Sequence, residues 1–181
     1  MASEVRIYNL RIVPDKKVFQ EVREFKETFI NRFGKQALSR SKPHITLAHF
    51  DMDTEYLDQL LKAFNQLTSV SRFRLQVQGF DTFPNANVLF LNVLESQELI
   101  QVFAQIDIIR VRDLHRTSGS FHIPDKAHMT ISKTRSRAML DKSLGLFDGI
   151  TYSREIEVNA LTLLSRPAGK TWDWEHQMPL S

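Results

Sequence analysis

Two tetrapeptides carry the residues most able to do chemistry: His44-Ile45-Thr46-Leu47 and His128-Met129-Thr130-Ile131. Each is a histidine, an apolar residue, a threonine and another apolar residue. On a β-strand, positions i and i+2 point to one face, so each histidine stands beside its own threonine while the residue between them turns into the core. Imidazole titrates near neutrality, so one ring can take a proton while the other gives one. Threonine hydroxyls and an imidazolium can hold oxygens on which negative charge builds up. Two such pairs facing each other suit acid–base chemistry on a phosphodiester.

The elements around the two copies repeat. Val5 to Val13 alternates like a strand, and Asp15 can cap a helix whose apolar residues are Val18, Val22, Phe25, Phe29 and Phe33, with Gly34 as its stop. A polar loop leads to a strand from His44 to Phe50. Thr54 can cap a second helix carrying Leu57, Leu60, Leu61, Phe64 and Leu67, and Phe73 begins an alternating strand that ends at Gly79. The pattern then restarts. Val88 to Leu94 reads as a strand and Ser96 caps a helix with Leu99, Val102, Phe103 and Ile106 inward. His128 to Ser132 is a strand, Arg137 to Phe147 is helical, and a last strand runs through Ile156 to Leu164. From first strand to histidine is 39 residues in one half (5 to 44) and 40 in the other (88 to 128). The expectation is an internal two-fold repeat with both histidine strands on a shared cleft. The expected organisation is one domain over 1–181, with lobe one about 1–80, lobe two about 81–181 and terminal strands open to exchange between them.

Composition narrows the chemistry. With 42% hydrophobic residues in 181, the chain can bury a sizeable core. It has no cysteine, which excludes disulfides, thiolate nucleophiles and cysteine-based metal sites. The other histidines, His49, His115, His122 and His176, form no HxH or HExxH pattern, so no metal ligands and no cofactor are expected. A net charge of +3 leans only mildly toward anionic partners. The N-terminal stretch lacks a charged start followed by a long apolar run, and no apolar stretch reaches the length of a membrane span. A cytoplasmic protein is therefore expected, with a monomer as its simplest state.

Basic and aromatic residues supply a second layer. Lys42, Lys133, Arg135 and Arg137 flank the two motifs, and the long loop from Val111 to Ala127 contains Arg112, His115, Arg116 and Phe121. Such a loop can be a lid, a binding element or an unstructured excursion. Lys42, Lys133, Arg116 and Phe121 are the candidate substrate contacts: cations for phosphate and an aromatic ring for a base. Trp172 and Trp174 sit in a tail with no clear period and suit either packing or base stacking.

The paired motifs, their matched placement, Lys42-Pro43 before the first motif and the Phe83-Pro84 turn resemble the two-histidine (2H) phosphoesterase superfamily. Within it the chain is similar to the LigT-like branch, the RNA 2′,3′-cyclic phosphodiesterases once described as 2′-5′ RNA ligases. The resemblance implies a bilobal α+β fold with two antiparallel sheets lining a central cleft and helices packed outside. It also implies a catalytic set of His44, Thr46, His128 and Thr130. The implied activity is metal-independent hydrolysis of 2′,3′-cyclic phosphate at RNA ends or in small cyclic nucleotides, with weak reverse 2′-5′ ligation. The rival readings are a nucleotide- or RNA-binding module with little turnover and a nuclease trimming RNA 3′ ends. Two positions depart from the branch: Asn85-Ala86-Asn87 offers no basic side chain before the Val88 strand, and Ala127 replaces a proline before His128.

Overall fold

The alternation in VRIYNLRI becomes β1 (Val5–Ile12), with Tyr8, Leu10 and Ile12 buried on the core side. The Asp15 carboxylate then accepts hydrogen bonds from the backbone N–H groups of Lys17 and Val18, at 2.9 and 3.0 Å, and starts α1 (Lys16–Phe33). Gly34 ends that helix at φ 75°, a value an L side chain rarely adopts. The chain continues through β2 (Ile45–Asp53), α2 (Leu57–Phe64), β3 (Phe73–Phe83), β4 (Val88–Val93), α3 (Gln97–Ile109), β5 (His128–Lys133), α4 (Arg137–Gly145), β6 (Ser153–Val158), β7 (Ala160–Pro167) and β8 (Trp174–Pro179). The computed structural model describes residues 3–181. No described helix is long and apolar enough to cross a membrane.

The eight strands form one antiparallel sheet in the order β6-β3-β4-β5-β2-β1-β7-β8. The fold class is α+β, but the expected pair of sheets is replaced by a single hydrogen-bonded sheet. Its two four-stranded halves are joined at one residue pair, Ile45 opposite Met129. Beyond that pair β2 and β5 find other partners. Ala37 bridges to Lys133 on β5, while Ser118 and His122 bridge to Met52 and His49 on β2. These bridges satisfy strand edges that would otherwise be left bare where the halves part.

Several elements differ from the sequence reading. Asp53, not Thr54, accepts the capping bond, from the N–H of Glu55, and Thr54–Tyr56 forms a 3₁₀ turn before α2. β3 does not stop at Gly79: the glycine sits at φ 70° in an irregularity between Val77 and Phe80, and pairing resumes to Phe83. The last strand is bent in two at Asn159. β6 pairs with β3 in one half, whereas β7 pairs with β1 in the other. Its alternation runs on through Val158 and Ala160 with no glycine or proline to mark the bend. The tail contains a strand, β8, whose alternation is hidden because only Met178 is buried among Trp174–Pro179.

Lys26 is the buried cation of α1, only 3% exposed. Its ammonium donates to the carbonyl of Leu38 at 3.0 Å, to the Ser41 hydroxyl at 3.3 Å and to the carbonyl of Ile131 at 3.1 Å. It thus ties the loop entering the first motif to the end of the second. Burial lowers its pKa to about 7 from the ordinary 10.5. The folded protein then binds fewer protons than the unfolded chain between those values, so stability rises with pH across that window. Urea midpoints measured at pH 7 and pH 9 should show the parent gaining stability, at up to about 1.4 kcal/mol per pH unit. Lys26→Met should lose that slope, and a parent with no slope would contradict the burial of an ammonium here.

Candidate active site

The single pairing of Ile45 with Met129 sets the geometry of the site. Because the strands are antiparallel, one step either way brings His44 to the side of Thr130 and Thr46 to the side of His128. All four lie on the face opposite the buried Ile45 and Met129, and all four are half-buried.

The two histidines are held alike. His44 Nδ1 lies 2.7 Å from the carbonyl of Lys42, and His128 Nδ1 lies 2.8 Å from the carbonyl of Lys126. In each case the acceptor is the residue two positions earlier. A carbonyl can only accept, so each neutral ring carries its proton on Nδ1 and keeps the Nε2 lone pair. Neither Nε2 has a protein hydrogen-bond partner among the described residues.

The halves share a further detail. β1 slips register between Leu10 and Arg11, which places Arg11 opposite Thr46. β4 slips between Leu89 and Phe90, which places Phe90 opposite Thr130. The same irregularity therefore stands beside each motif threonine, but the residue it presents differs. Beside Thr46 it is a guanidinium, with Arg11 only 5% exposed. Beside Thr130 it is a ring: Phe90 stacks on Phe83 at 4.1 Å, and Phe83 meets His128 edge-on at 4.9 Å.

That difference separates the two imidazoles electrostatically. Burial lowers His44 to about 3, with the Arg11 charge next in importance and Lys26 and His128 adding to it, against the opposing bond to the Lys42 carbonyl. Burial also lowers His128; the Lys126 carbonyl opposes this and the Lys126 ammonium adds to it. No carboxylate pairs with either ring among the described residues, so only the two backbone carbonyls favour the imidazolium forms, and burial outweighs them.

The other expected contacts are spread out. Lys42 is exposed and lines a cavity beside His44. Lys133 is exposed at the end of β5, and its backbone N–H donates to the carbonyl of Ala37. Arg116 donates from Nε to His115 Nε2 at 3.2 Å. Phe121 stacks on Phe50 at 4.6 Å and packs against the core, which occupies that ring face. The long loop is tied to β2 through the backbone bonds between His49 and His122 and from Gly119 to Asp51. Arg11 escapes a sequence reading because the polar face of β1 looks like any solvated face. Pairing β1 with the first motif strand would have exposed it.

A family model described as the 2′-5′ RNA ligase superfamily matches residues 14–170. The chain belongs to that superfamily. No match was found among curated proteins. Solved structures extend the superfamily likeness to the fold. E. coli LigT complexed with 3′-AMP is 14% identical, with a TM-score of 0.61, covering 97% of this chain and 95% of that one. TT0787 of Thermus thermophilus is 16% identical, with a TM-score of 0.64, covering 95% and 97% respectively. At these identities the likeness is one of fold.

Nitrogen-15 NMR tests the electrostatics of this superfamily member directly. Both rings should show the Nδ1–H neutral tautomer at pH 7, and His44 should remain neutral down to pH 5. A His44 midpoint near the ordinary 6.5 would contradict the environment described.

Proposed function

We propose that this protein is a metal-independent phosphoesterase that opens 2′,3′-cyclic phosphates at RNA ends or in small cyclic nucleotides. The observation that carries the reading is the lone Ile45–Met129 pairing, which gathers two histidines and two threonines around a space with no protein group bonded to either Nε2 among the described residues. E. coli LigT, which shares the fold, has been solved with 3′-AMP, NADP+ and ATP, and that supports a nucleotide substrate.

In this reading the two environments suit different roles. His44, strongly disfavoured as a cation, is the general base: its Nε2 takes a proton from water as the water oxygen bonds to phosphorus. His128 is the general acid. Burial lowers its pKa as well, and a phosphate anion arriving between the rings supplies the charge that restores its proton. That proton passes to the ribose oxygen as the bond from phosphorus to that oxygen breaks. Thr46 and Thr130 donate to the non-bridging oxygens. With a 5′-hydroxyl as nucleophile in place of water, the same groups open the ring at the 3′ oxygen, which takes the proton, and leave a 2′-5′ linkage.

Turnover of nucleoside 2′,3′-cyclic monophosphates and of a short RNA ending in the cyclic phosphate, measured in EDTA, tests this. The parent should turn over at least one of them, and His44→Ala and His128→Ala should each lower the rate by at least about 10²-fold. Nucleotide binding without turnover would favour the binding-module reading. Turnover indifferent to both substitutions would place the chemistry elsewhere.

A further inference from the structure

A cavity of about 720 Å³ opens beside His44, on the side away from the second motif. Arg11, Arg40, Lys42, Thr162, Trp172 and Gln177 are among its lining residues. Arg11 is the unusual member. Its guanidinium is buried, yet the only hydrogen bond it makes among the described residues runs from Nε to Asn9 Oδ1, at 2.7 Å. The remaining nitrogens have no protein partner there. A buried guanidinium without an ion pair is costly, and an anion in the cavity would offset that cost.

The carboxylates nearby do not supply that anion. Asp173 is engaged by Arg6, and Glu175, although near enough to favour the Arg11 charge, forms no ion pair with it. Three cations, Arg11, Arg40 and Lys42, therefore face the cavity against one carboxylate outside any ion pair, Glu175, which accepts from Gln177 Nε2 at 3.4 Å. Stacking of a base on Trp172 is disfavoured because guanidinium groups already lie at that ring: Arg11 at 5.1 Å and Arg166 at 4.8 Å from its centroid.

Position supplies the rest. Arg11 is opposite Thr46 on one side and opposite Thr162 on the other, and Thr162 is opposite Gln177. The row Thr46, Arg11, Thr162, Gln177 thus leads from the first motif into the cavity, at about 4.8 Å per strand. An anion on Arg11 lies one or two strands beyond a phosphate held between the motifs, a separation that a ribose can bridge.

We propose that the cavity beside His44 is a second phosphate subsite, which takes the phosphate one ribose away from the reacting one. Two sources share that chemistry: the 5′-phosphate of a mononucleotide and the preceding phosphodiester of an RNA chain. The identity of the reacting phosphate rests on the phosphoesterase reading above; the subsite itself is tested by binding.

Calorimetric titration of the intact protein with adenosine 3′-monophosphate, adenosine 3′,5′-bisphosphate and a dinucleotide ending in a 3′-phosphate makes the test. The added phosphate should tighten binding by at least about tenfold, as charge-assisted contacts do. Whichever of the bisphosphate and the dinucleotide gains more identifies the source. Arg40→Ala and Lys42→Ala, both at exposed positions, should each reduce the advantage by about threefold or more. Arg11→Met, checked for folding by its thermal transition, should abolish it. Equal affinity for the mono- and bisphosphate, no binding of either, or an advantage that survives all three substitutions would overturn the proposal. Turnover without a binding advantage removes the subsite and leaves the phosphoesterase reading standing. A binding advantage without turnover does the reverse.

Discussion

One backbone pairing, Ile45 with Met129, is the constraint on which the site depends. Both residues are fully buried, so the hydrophobic core holds the junction shut from beneath. Their immediate neighbours, His44, Thr46, His128 and Thr130, are thereby fixed above it. The sheet diverges on either side because β2 and β5 each turn to another partner. That combination gives closeness at one point and no β2–β5 ladder on either side of it. A regular ladder along the whole of β2 and β5 would fill the space with paired strand, and two separate sheets would lose the register.

The two halves resemble each other in backbone more closely than in side chains. Both place a register slip beside the motif threonine, and both anchor the histidine through Nδ1 to the carbonyl two residues earlier. What differs is the neighbour on the adjacent strand, Arg11 in one half and Phe90 in the other. Together with the deeper burial of His44, that difference makes a nearly symmetric scaffold asymmetric at the histidines. The cationic side disfavours protonated His44, and the aromatic side leaves His128 freer to gain a proton when an anion arrives. In the proposed mechanism, base and acid are therefore distinguished by surroundings and not by the motifs themselves.

Much of this is legible in the sequence, for identifiable reasons. The histidine–threonine pairs stand out because a period of two forces them onto one face, and their matched offsets imply the repeat. Strands with strong alternation and helices with Asp15 or Ser96 at their starts lie where the sequence places them. The misses have physical causes too. The bend at Asn159 has no breaker residue, and a period of two cannot show which partner a strand joins. The single sheet turns on one hydrogen-bonded pair, which no composition signal reports. Arg11 and Lys26 are hidden because a charged residue on an amphipathic element is ordinarily solvated, and here tertiary packing covers both.

In the proposed mechanism both histidines serve one phosphate. Following both ring Nε2 resonances by nitrogen-15 NMR during a titration with inorganic phosphate tests it most directly. If the account holds, both rings respond along one isotherm with one phosphate per chain, and His128 gains a proton as the site fills. A response from one ring alone, or two independent isotherms, would mean that the histidines do not share a site.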